Sequence, residues 1–495
     1  MATIELTDLS FGYPGQPELF SHVSFNFDTR WHLGLVGRNG RGKTTLLELL
    51  QHQHEYRGQI TTPLTFNYFP QPIADESQLT LYAMQAVSDA EQWELERELN
   101  LMHVDPDILW RPYQALSGGE QTKVRLALLF TQASGFALID EPTNHLDQAS
   151  RALVAQYLQQ KSGFILISHD RAFLNATTDH TLAIDKADIT LYQGNYDVYA
   201  EARDRQNAFE QAENSKLKHE IGRLQQSARA KGQWADSREK DINGSRHEFN
   251  SAHKDRGRIS HMATREMKKR LNLEHRMDKE IDAKSKLLKN IEDVPALTIN
   301  TLPDHHDPYL HVVDLTVGYE QPLFKPVSFD VRPGERVALV GPNGIGKSSL
   351  LRAVLGQFAG TTTGNITQPH LQLSLMRQVP DNRGLLKDFA AVHHLDYESL
   401  LNNLKKLGLE RTAFTTPIEQ LSMGQQKKVE LARSLVTPAN MLVWDEPLNY
   451  LDLYNQDQLA QSLQANQPTL LFIEHDQTFI DRVATKIVTL EPVQA

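Results

Sequence analysis

One short set of residues occurs twice in this chain, in the same order and at an almost constant offset. Gly37-Arg38-Asn39-Gly40-Arg41-Gly42-Lys43-Thr44 is a glycine-rich loop, and Gly341-Pro342-Asn343-Gly344-Ile345-Gly346-Lys347-Ser348 repeats it. Gln71 and Gln378, Ser117 and Ser422, Asp140 and Asp445, and His169 and His475 are further pairs in register with the two lysines. Landmarks repeated in one order at one spacing mark an internal duplication, so the chain must build one unit twice. At 495 residues it also exceeds what one core supports.

Each loop follows an apolar run, Trp31–Val36 or Arg336–Val340, and precedes a leucine-rich helical stretch. That context gives it a mechanism. Glycines let backbone N–H groups close around phosphate oxygens, and the helix that follows points its positive end at the same anion. Gly37, Asn39, Gly40 and Gly42 form the first cradle, and Gly341, Asn343, Gly344 and Gly346 the second. Lys43 and Lys347 neutralise the outer phosphates, and Thr44 and Ser348 offer hydroxyls to Mg²⁺, with Thr45 and Ser349 beside them. An incidental glycine-rich turn is the bland alternative, and the strand–loop–helix context in both copies argues against it.

Phe136–Glu141 and Met441–Glu446 are apolar strands that end in two carboxylates. Asp140 and Asp445 suit a grip on Mg²⁺, and Glu141 and Glu446 suit polarising an attacking water. Gln71 and Gln378 are candidates for metal or water, and His169 and His475 for a γ-phosphate contact. Tyr13 and Tyr319 are expected to precede the first strands, where a ring can stack on a base. Buried runs such as Gly163–Ser168 and Thr469–Glu474 predict parallel sheets covered by helices. The fold class expected is α/β: two tandem phosphate-loop domains joined by a long α-helical hairpin.

The segment between the copies has a different character. Glu201 to Glu292 holds 22 Lys/Arg against 16 Asp/Glu, in a chain whose net charge is −11. Helix formers dominate it, and two helices are expected at about 200–238 and 260–292. Asp241-Ile242-Asn243-Gly244 and Asn250-Ser251-Ala252-His253 break the pattern between them. Pro295, Pro303 and Pro308 mark an extended return. We therefore assign 1–199 to the first domain, 200–307 to the hairpin and return, and 308–495 to the second domain.

Composition narrows the class. With no cysteine, disulfides and thiolate metal sites are excluded. No run approaches the ~20 apolar residues that cross a bilayer, and no signal peptide is expected at the N-terminus, so a cytoplasmic location is expected. From Lys216 to Arg270 there are 15 basic and 7 acidic residues. That local excess suits RNA phosphates, with Arg246, Phe249, Arg256, Arg258, Lys268, Lys269 and Arg270 as candidate contacts. A solvated, charge-balanced hairpin is the competing reading of the same residues.

Leu116-Ser117-Gly118-Gly119-Glu120-Gln121 and Leu421-Ser422-Met423-Gly424-Gln425-Gln426 resemble the signature of ATP-binding-cassette ATPases. The resemblance implies ATP and Mg²⁺ as cofactors, and two cassettes stacked head to tail. One site would then combine Lys43, Gln71, Asp140, Glu141 and His169 with Ser422 and Gly424. The other would combine Lys347, Gln378, Asp445, Glu446 and His475 with Ser117 and Gly119. Met423 departs from the usual glycine, which implies a slower Lys43 site. Asn144–Asp147 and Asn449–Asp452 match the family's contact between cassettes. Two cassettes, a charged hairpin and Tyr192-Gln193-Gly194-Asn195-Tyr196-Asp197-Val198-Tyr199 resemble the ABC-F branch. Trp93–Leu99, Trp110-Arg111-Pro112 and Trp444–Tyr450 are similar to its Lsa/Vga-type antibiotic-resistance members.

That resemblance implies a monomeric cytoplasmic ATPase that binds the ribosome at the tRNA exit site. Its linker would reach towards 23S rRNA and the P-site tRNA region and displace lincosamides, pleuromutilins and streptogramin A. The spacing of Gln71 to Ser117 leaves no room for a sizeable inserted arm. Two other readings stay open: a housekeeping translation factor of the same branch, and the ATPase subunit of a membrane transporter.

Overall fold

The computed structural model describes residues 2–15, 18–131, 135–143, 146–185, 188–244, 296–378 and 382–493. These group into two compact units, one formed by Met1–Tyr199 with Val294–Ala495 and the other by Ala200–Asp293.

In the first repeat β1 (Thr3–Phe11), β2 (Phe20–Asp28), β3 (His32–Gly37) and α1 (Lys43–Leu50) are followed by β4 (Arg57–Thr61) and β5 (Phe66–Phe69). Then come α2 (Thr80–Gln85), α3 (Gln92–Leu101), α4 (Gly118–Thr131), β6 (Phe136–Asp140), α5 (Gln148–Gln159) and β7 (Phe164–Ile167). The repeat closes with α6 (Arg171–Thr177), β8 (His180–Asp185) and β9 (Asp188–Gln193). Its main sheet runs β5-β6-β7-β3-β8-β9, parallel except for the β8–β9 hairpin, and an antiparallel sheet β2-β1-β4 packs beside it.

The second repeat reproduces the plan. It contains β10 (Leu310–Gly318), β11 (Val327–Val331), β12 (Arg336–Val340), α8 (Lys347–Val354), β13 (Thr361–Thr367) and β14 (Leu373–Met376). It continues with α9 (Leu386–Val392), α10 (Tyr397–Lys406), α11 (Met423–Val436), β15 (Met441–Asp445), α12 (Leu453–Asn466), β16 (Leu470–Ile473), α13 (Gln477–Val483) and β17 (Lys486–Thr489). Its main sheet, β14-β15-β16-β12-β17, is wholly parallel, and β11-β10-β13 is its antiparallel companion.

The continuous apolar runs are strands buried on both faces. Along β15, Met441 and Val443 join the core beneath the antiparallel sheet, while Leu442 and Trp444 join the core beneath α10 and α11. β16 divides in the same way, Leu471 and Ile473 against Leu470 and Phe472. The period of two is hidden only because both faces are apolar. Trp444 is fully buried, and its indole N–H donates to Ser434 Oγ at 2.7 Å, so its one polar atom is satisfied.

One segment packs in a way its extended course did not announce, and another departs from expectation. The expected extended return packs on the second repeat over 297–302. Leu297 is buried, Thr298 exchanges hydrogen bonds with the Asn403 side chain at 3.0 and 2.9 Å, and Leu302 N–H reaches Ala439 O at 2.8 Å. The first linker helix, α7 (Tyr196–Gly244), runs past Asp241-Ile242-Asn243, where a break was expected. An Asn inside a helix costs less than about 1 kcal/mol, too little to end so long a helix at Asn243. The expected second arm at 260–292, with Arg246, Phe249, Arg256, Arg258, Lys268, Lys269 and Arg270, lies outside the described residues.

Candidate functional site

Each phosphate loop leaves the C-terminal end of a central strand, β3 or β12, and turns directly into α1 or α8. Gly42 and Gly346 are the residues immediately before those helices, at φ of 90° and 100°. A Cβ at Gly42 would meet Leu19 Cδ2 at 2.6 Å, and one at Gly346 would meet Leu323 Cδ1 at 2.8 Å. Both conformation and space therefore demand glycine there. Lys43 Nζ folds back onto Gly37 O at 2.9 Å and Asn39 Oδ1 at 3.3 Å, and Lys347 Nζ onto Gly341 O at 2.9 Å and Pro342 O at 3.0 Å. Burial lowers the pKa of both ammonium groups, so each gains from an anion in its loop.

The carboxylates stand where β6 and β15 end. Thr44 Oγ1 donates to Asp140 Oδ2 at 2.8 Å, and Tyr68 OH donates to the same oxygen at 3.2 Å. Ser348 is hydrogen-bonded to Asp445 in the second site. Burial raises both aspartates, against the pull of those hydroxyls. Glu141 and Glu446 adopt the left-handed conformation, at φ of 51° and 50°. Such strain in a non-glycine residue clusters at functional sites. His169 Nε2 lies 3.3 Å from Glu141 Oε1, and His475 Nε2 lies 3.5 Å from Glu446 Oε1.

The two sites differ in how the glutamate is held. Glu446 is pushed up by burial, but His475, Gln378 and Asn449 outweigh that and hold it below the usual range. Gln378 Nε2 donates to Glu446 Oε2 at 2.7 Å, and Asn449 Nδ2 at 2.6 Å. Among the described residues no side-chain amide bonds to Glu141, which accepts the His169 backbone N–H at 3.3 Å. Burial and the Asp140 charge push it up to about 8. Burial, with the Lys43 charge, keeps His169 neutral.

The repeats meet across these loops. Asn39 N–H donates to Asp452 Oδ2 at 2.9 Å, and Gln456 Nε2 donates to His169 O at 3.1 Å. The Arg38 guanidinium stacks over Tyr454 at 4.1 Å. A Cβ at Gly424 would lie 3.2 Å from Tyr450 O and 3.8 Å from Asn39 Nδ2. The second repeat's signature thus lies against the first repeat's phosphate loop. On the other side, the Asp147 charge acts on Lys347. Ser117 and Ser422 begin α4 and α11 with matching reciprocal caps. Glu120 accepts from Ser117 N–H at 2.8 Å, and Gln425 Oε1 accepts from Ser422 N–H at 3.1 Å. Met423 sits 44% exposed beside Ser422.

Gly40 and Gly344 sit within the phosphate loops, Gly119 lies in the first turn of α4, and Asn343 Oδ1 takes a bond from Lys347 at 3.4 Å. Thr45 shares a hydrogen bond of 3.1 Å with Tyr13 OH, and Tyr13 packs edge-on against Phe11. Tyr319 is 62% exposed beside Phe358, and Ser349 is half-buried in the first turn of α8. Sequence reasoning did not reach Tyr68, Gln456 or Lys428, and it placed Asn449 in the contact between cassettes, not on Glu446. Lys428 carried a signal, because a lysine among buried helix positions needs a partner, which here is Asp452 at 3.6 Å.

The residues fit Mg²⁺. Gln71 Oε1 and Nε2, Glu141 Oε1 and Asp445 Oδ1 are buried without hydrogen-bond partners among the described residues. Buried polar atoms of this kind normally find partners. The donor set is all oxygen, from hydroxyl, amide and carboxylate, as a hard divalent cation prefers.

A phosphate loop, a strand-end acid pair and a signature facing them from a second copy define a tandem nucleotide-binding protein. The family model described as "ABC transporter" matches residues 20–144 and again 324–449. The ribosome protection protein VmlR of Bacillus subtilis (strain 168) is 29% identical over 494 residues, covering 97% of this chain and 85% of the relative. The erythromycin resistance ATP-binding protein MsrA of Staphylococcus epidermidis is 30% identical over 477 residues, covering 92% of this chain and 91% of the relative. An archaeal ribosome recycling factor, aABCE1, solved with the stalk protein aP1, shares the fold at a TM-score of 0.61 and 18% identity, covering 98% of this chain and 88% of that chain. The chain belongs to the ABC-F family of the ATP-binding-cassette superfamily. No helix among the described residues is long and apolar enough to cross a membrane.

Proposed function

We propose that this protein is a cytoplasmic, monomeric, ribosome-binding ATPase that displaces antibiotics from the peptidyl-transferase region. The observation that carries the reading is the composite first site, where Asn39 is held by Asp452 and faced by Gly424 of the other cassette. Neither cassette completes that arrangement alone. The names of VmlR and MsrA, ribosome protection and erythromycin resistance, support the ribosome as target.

In each site the phosphate-loop lysine and backbone amides hold the β- and γ-phosphates. Thr44, Gln71 and Asp140, and Ser348, Gln378 and Asp445, would hold Mg²⁺. When bound, that ion neutralises the charge developing on the transferred phosphoryl group. Glu141 and Glu446 accept a hydrogen bond from the attacking water, and His169 and His475 stay near the γ-phosphate. Ser422 with Gly424, and Ser117 with Gly119, close each site from the opposite cassette. The closed form enters the tRNA exit site, its basic linker engages 23S rRNA near the P-site tRNA, and hydrolysis releases it. Nucleotide thus acts as a population shift between open and closed forms.

Expression in a drug-sensitive bacterium tests the reading. Inhibitory concentrations of a lincosamide, a pleuromutilin and streptogramin A should rise several-fold, with erythromycin included because of MsrA. Unchanged values with the protein on ribosomes would assign it to translation itself. ATP-dependent sedimentation with membranes would assign it to transport.

A further inference from the structure

The two cassettes differ at one buried helix position that the site chemistry above does not use. Lys427 lies in α11, four residues before Leu431 on the same apolar face, and is 0% exposed. Its ammonium donates to two backbone carbonyls, Arg377 O and Gln378 O, both at 3.1 Å. Burying an ammonium is costly unless it is paired and hydrogen-bonded. The charges that face it are Glu474, Glu430, Glu446 and Asp445. Glu430 is already engaged by Arg433, at 2.6 and 3.0 Å, and by Asn382 at 2.8 Å.

The corresponding position of the first cassette holds Thr122. Its hydroxyl is spent within its own helix, on Gly118 O at 2.9 Å. The glutamines differ in step with this exchange. Gln378, whose carbonyl Lys427 grips, places its amide on Glu446 at 2.7 Å. Gln71 is buried with both amide atoms unpartnered among the described residues. An apolar residue would fill the space around Lys427 without the cost of a buried charge, so packing alone does not account for the lysine.

We propose that Lys427 is a positioning residue of the Lys347 site: it clamps the Arg377–Gln378 backbone so that the Gln378 amide stays on Glu446. It does so from the helix whose start, Ser422 to Gly424, faces the phosphate loop of the other cassette. Movement of the signature on one nucleotide therefore reaches the glutamine that serves the second. This rests on the hydrolytic reading of the two sites.

Steady-state ATP turnover of the full chain tests it, with Lys427→Met, Lys427→Thr, Gln378→Ala and Gln71→Ala singly and in pairs. Lys427→Met keeps volume without charge, and Lys427→Thr installs the residue of the first cassette. Melting curves identify the folded lysine variant to be used. Substitution at Lys427 should lower kcat by roughly 10-fold, the usual scale for groups that orient a ligand, with KM for ATP little changed. Combined with Gln378→Ala it should lower kcat no further, whereas combined with Gln71→Ala the losses should multiply. A folded Lys427 variant that turns over like its parent, or whose loss multiplies with that of Gln378→Ala, overturns the proposal. A parent protein that binds ATP and never hydrolyses it overturns the underlying reading, and the proposal falls with it.

Discussion

Two glutamates with the same backbone conformation have opposite acidities, and the cause is local. Gln378 and Asn449 donate to Glu446, while Glu141 is enclosed beside Asp140, its Oε1 3.3 Å from His169 Nε2 but without a hydrogen bond among the described residues. The Glu141 pKa, raised from 4.5 to about 8 in the fold, destabilises the nucleotide-free protein as pH rises through that window. Glu446, depressed in the fold, contributes stability above its unfolded value and loses it as pH falls. Glu141→Gln should therefore raise the melting temperature of nucleotide-free protein near pH 8, by about 1–3 kcal/mol in stability, and have little effect below pH 4.5. Glu446→Gln should lower it at neutral pH, with the difference shrinking in acid. Thermal melts across pH check both. The sequence displayed the paired glutamates because the repeat supplies its own control. It did not display their difference, which arises from side chains that meet only after folding.

Among the elements, the strands and phosphate-loop helices were legible because apolar runs, glycines and helix starts are local signals. The seating of 297–302 was not, since it depends on Asn403, roughly a hundred positions away, meeting one peptide unit. Asn403 is fully buried and satisfies both the N–H and the C=O of Thr298. Asn403→Ala leaves both without partners and should cost about 2–4 kcal/mol, seen as a lower denaturation midpoint of the second cassette. Asn403→Asp keeps the acceptor for Thr298 N–H but sets a buried carboxylate against the Thr298 carbonyl, so at neutral pH it should destabilise at least as much. The length of α7 shows the converse: Asp241-Ile242-Asn243 is a weak local breaker, and helical propensity over a long stretch outweighs it.

At the scale of the whole molecule, the duplication and the signature made the tandem cassettes and their head-to-tail pairing readable in advance. The contacts that make the pairing specific, Arg38 on Tyr454 and Gln456 on the His169 carbonyl, join residues with no shared sequence pattern. A Cβ at Gly424 would press on Tyr450 O at 3.2 Å and already touch the Asn39 side-chain amide at 3.8 Å, so the branches of a larger side chain have to enter the seam between the cassettes. Gly424→Val should leave ATP binding to the phosphate loops within a few-fold and reduce turnover by at least ~100-fold, because the side chain holds the cassettes apart. Nucleotide-binding titrations beside turnover measurements separate the two effects.

The central claim is that ATP held between the cassettes creates the ribosome-binding form, and that hydrolysis ends it. Pelleting purified Glu141→Gln/Glu446→Gln protein with ribosomes measures this directly, with ATP, with ADP and without nucleotide. The account predicts that the doubly substituted protein co-sediments with ribosomes in ATP, and that the parent is largely released once its ATP is consumed. Doubly substituted protein that binds ATP yet stays in the supernatant, or that pellets equally in ADP, would contradict it.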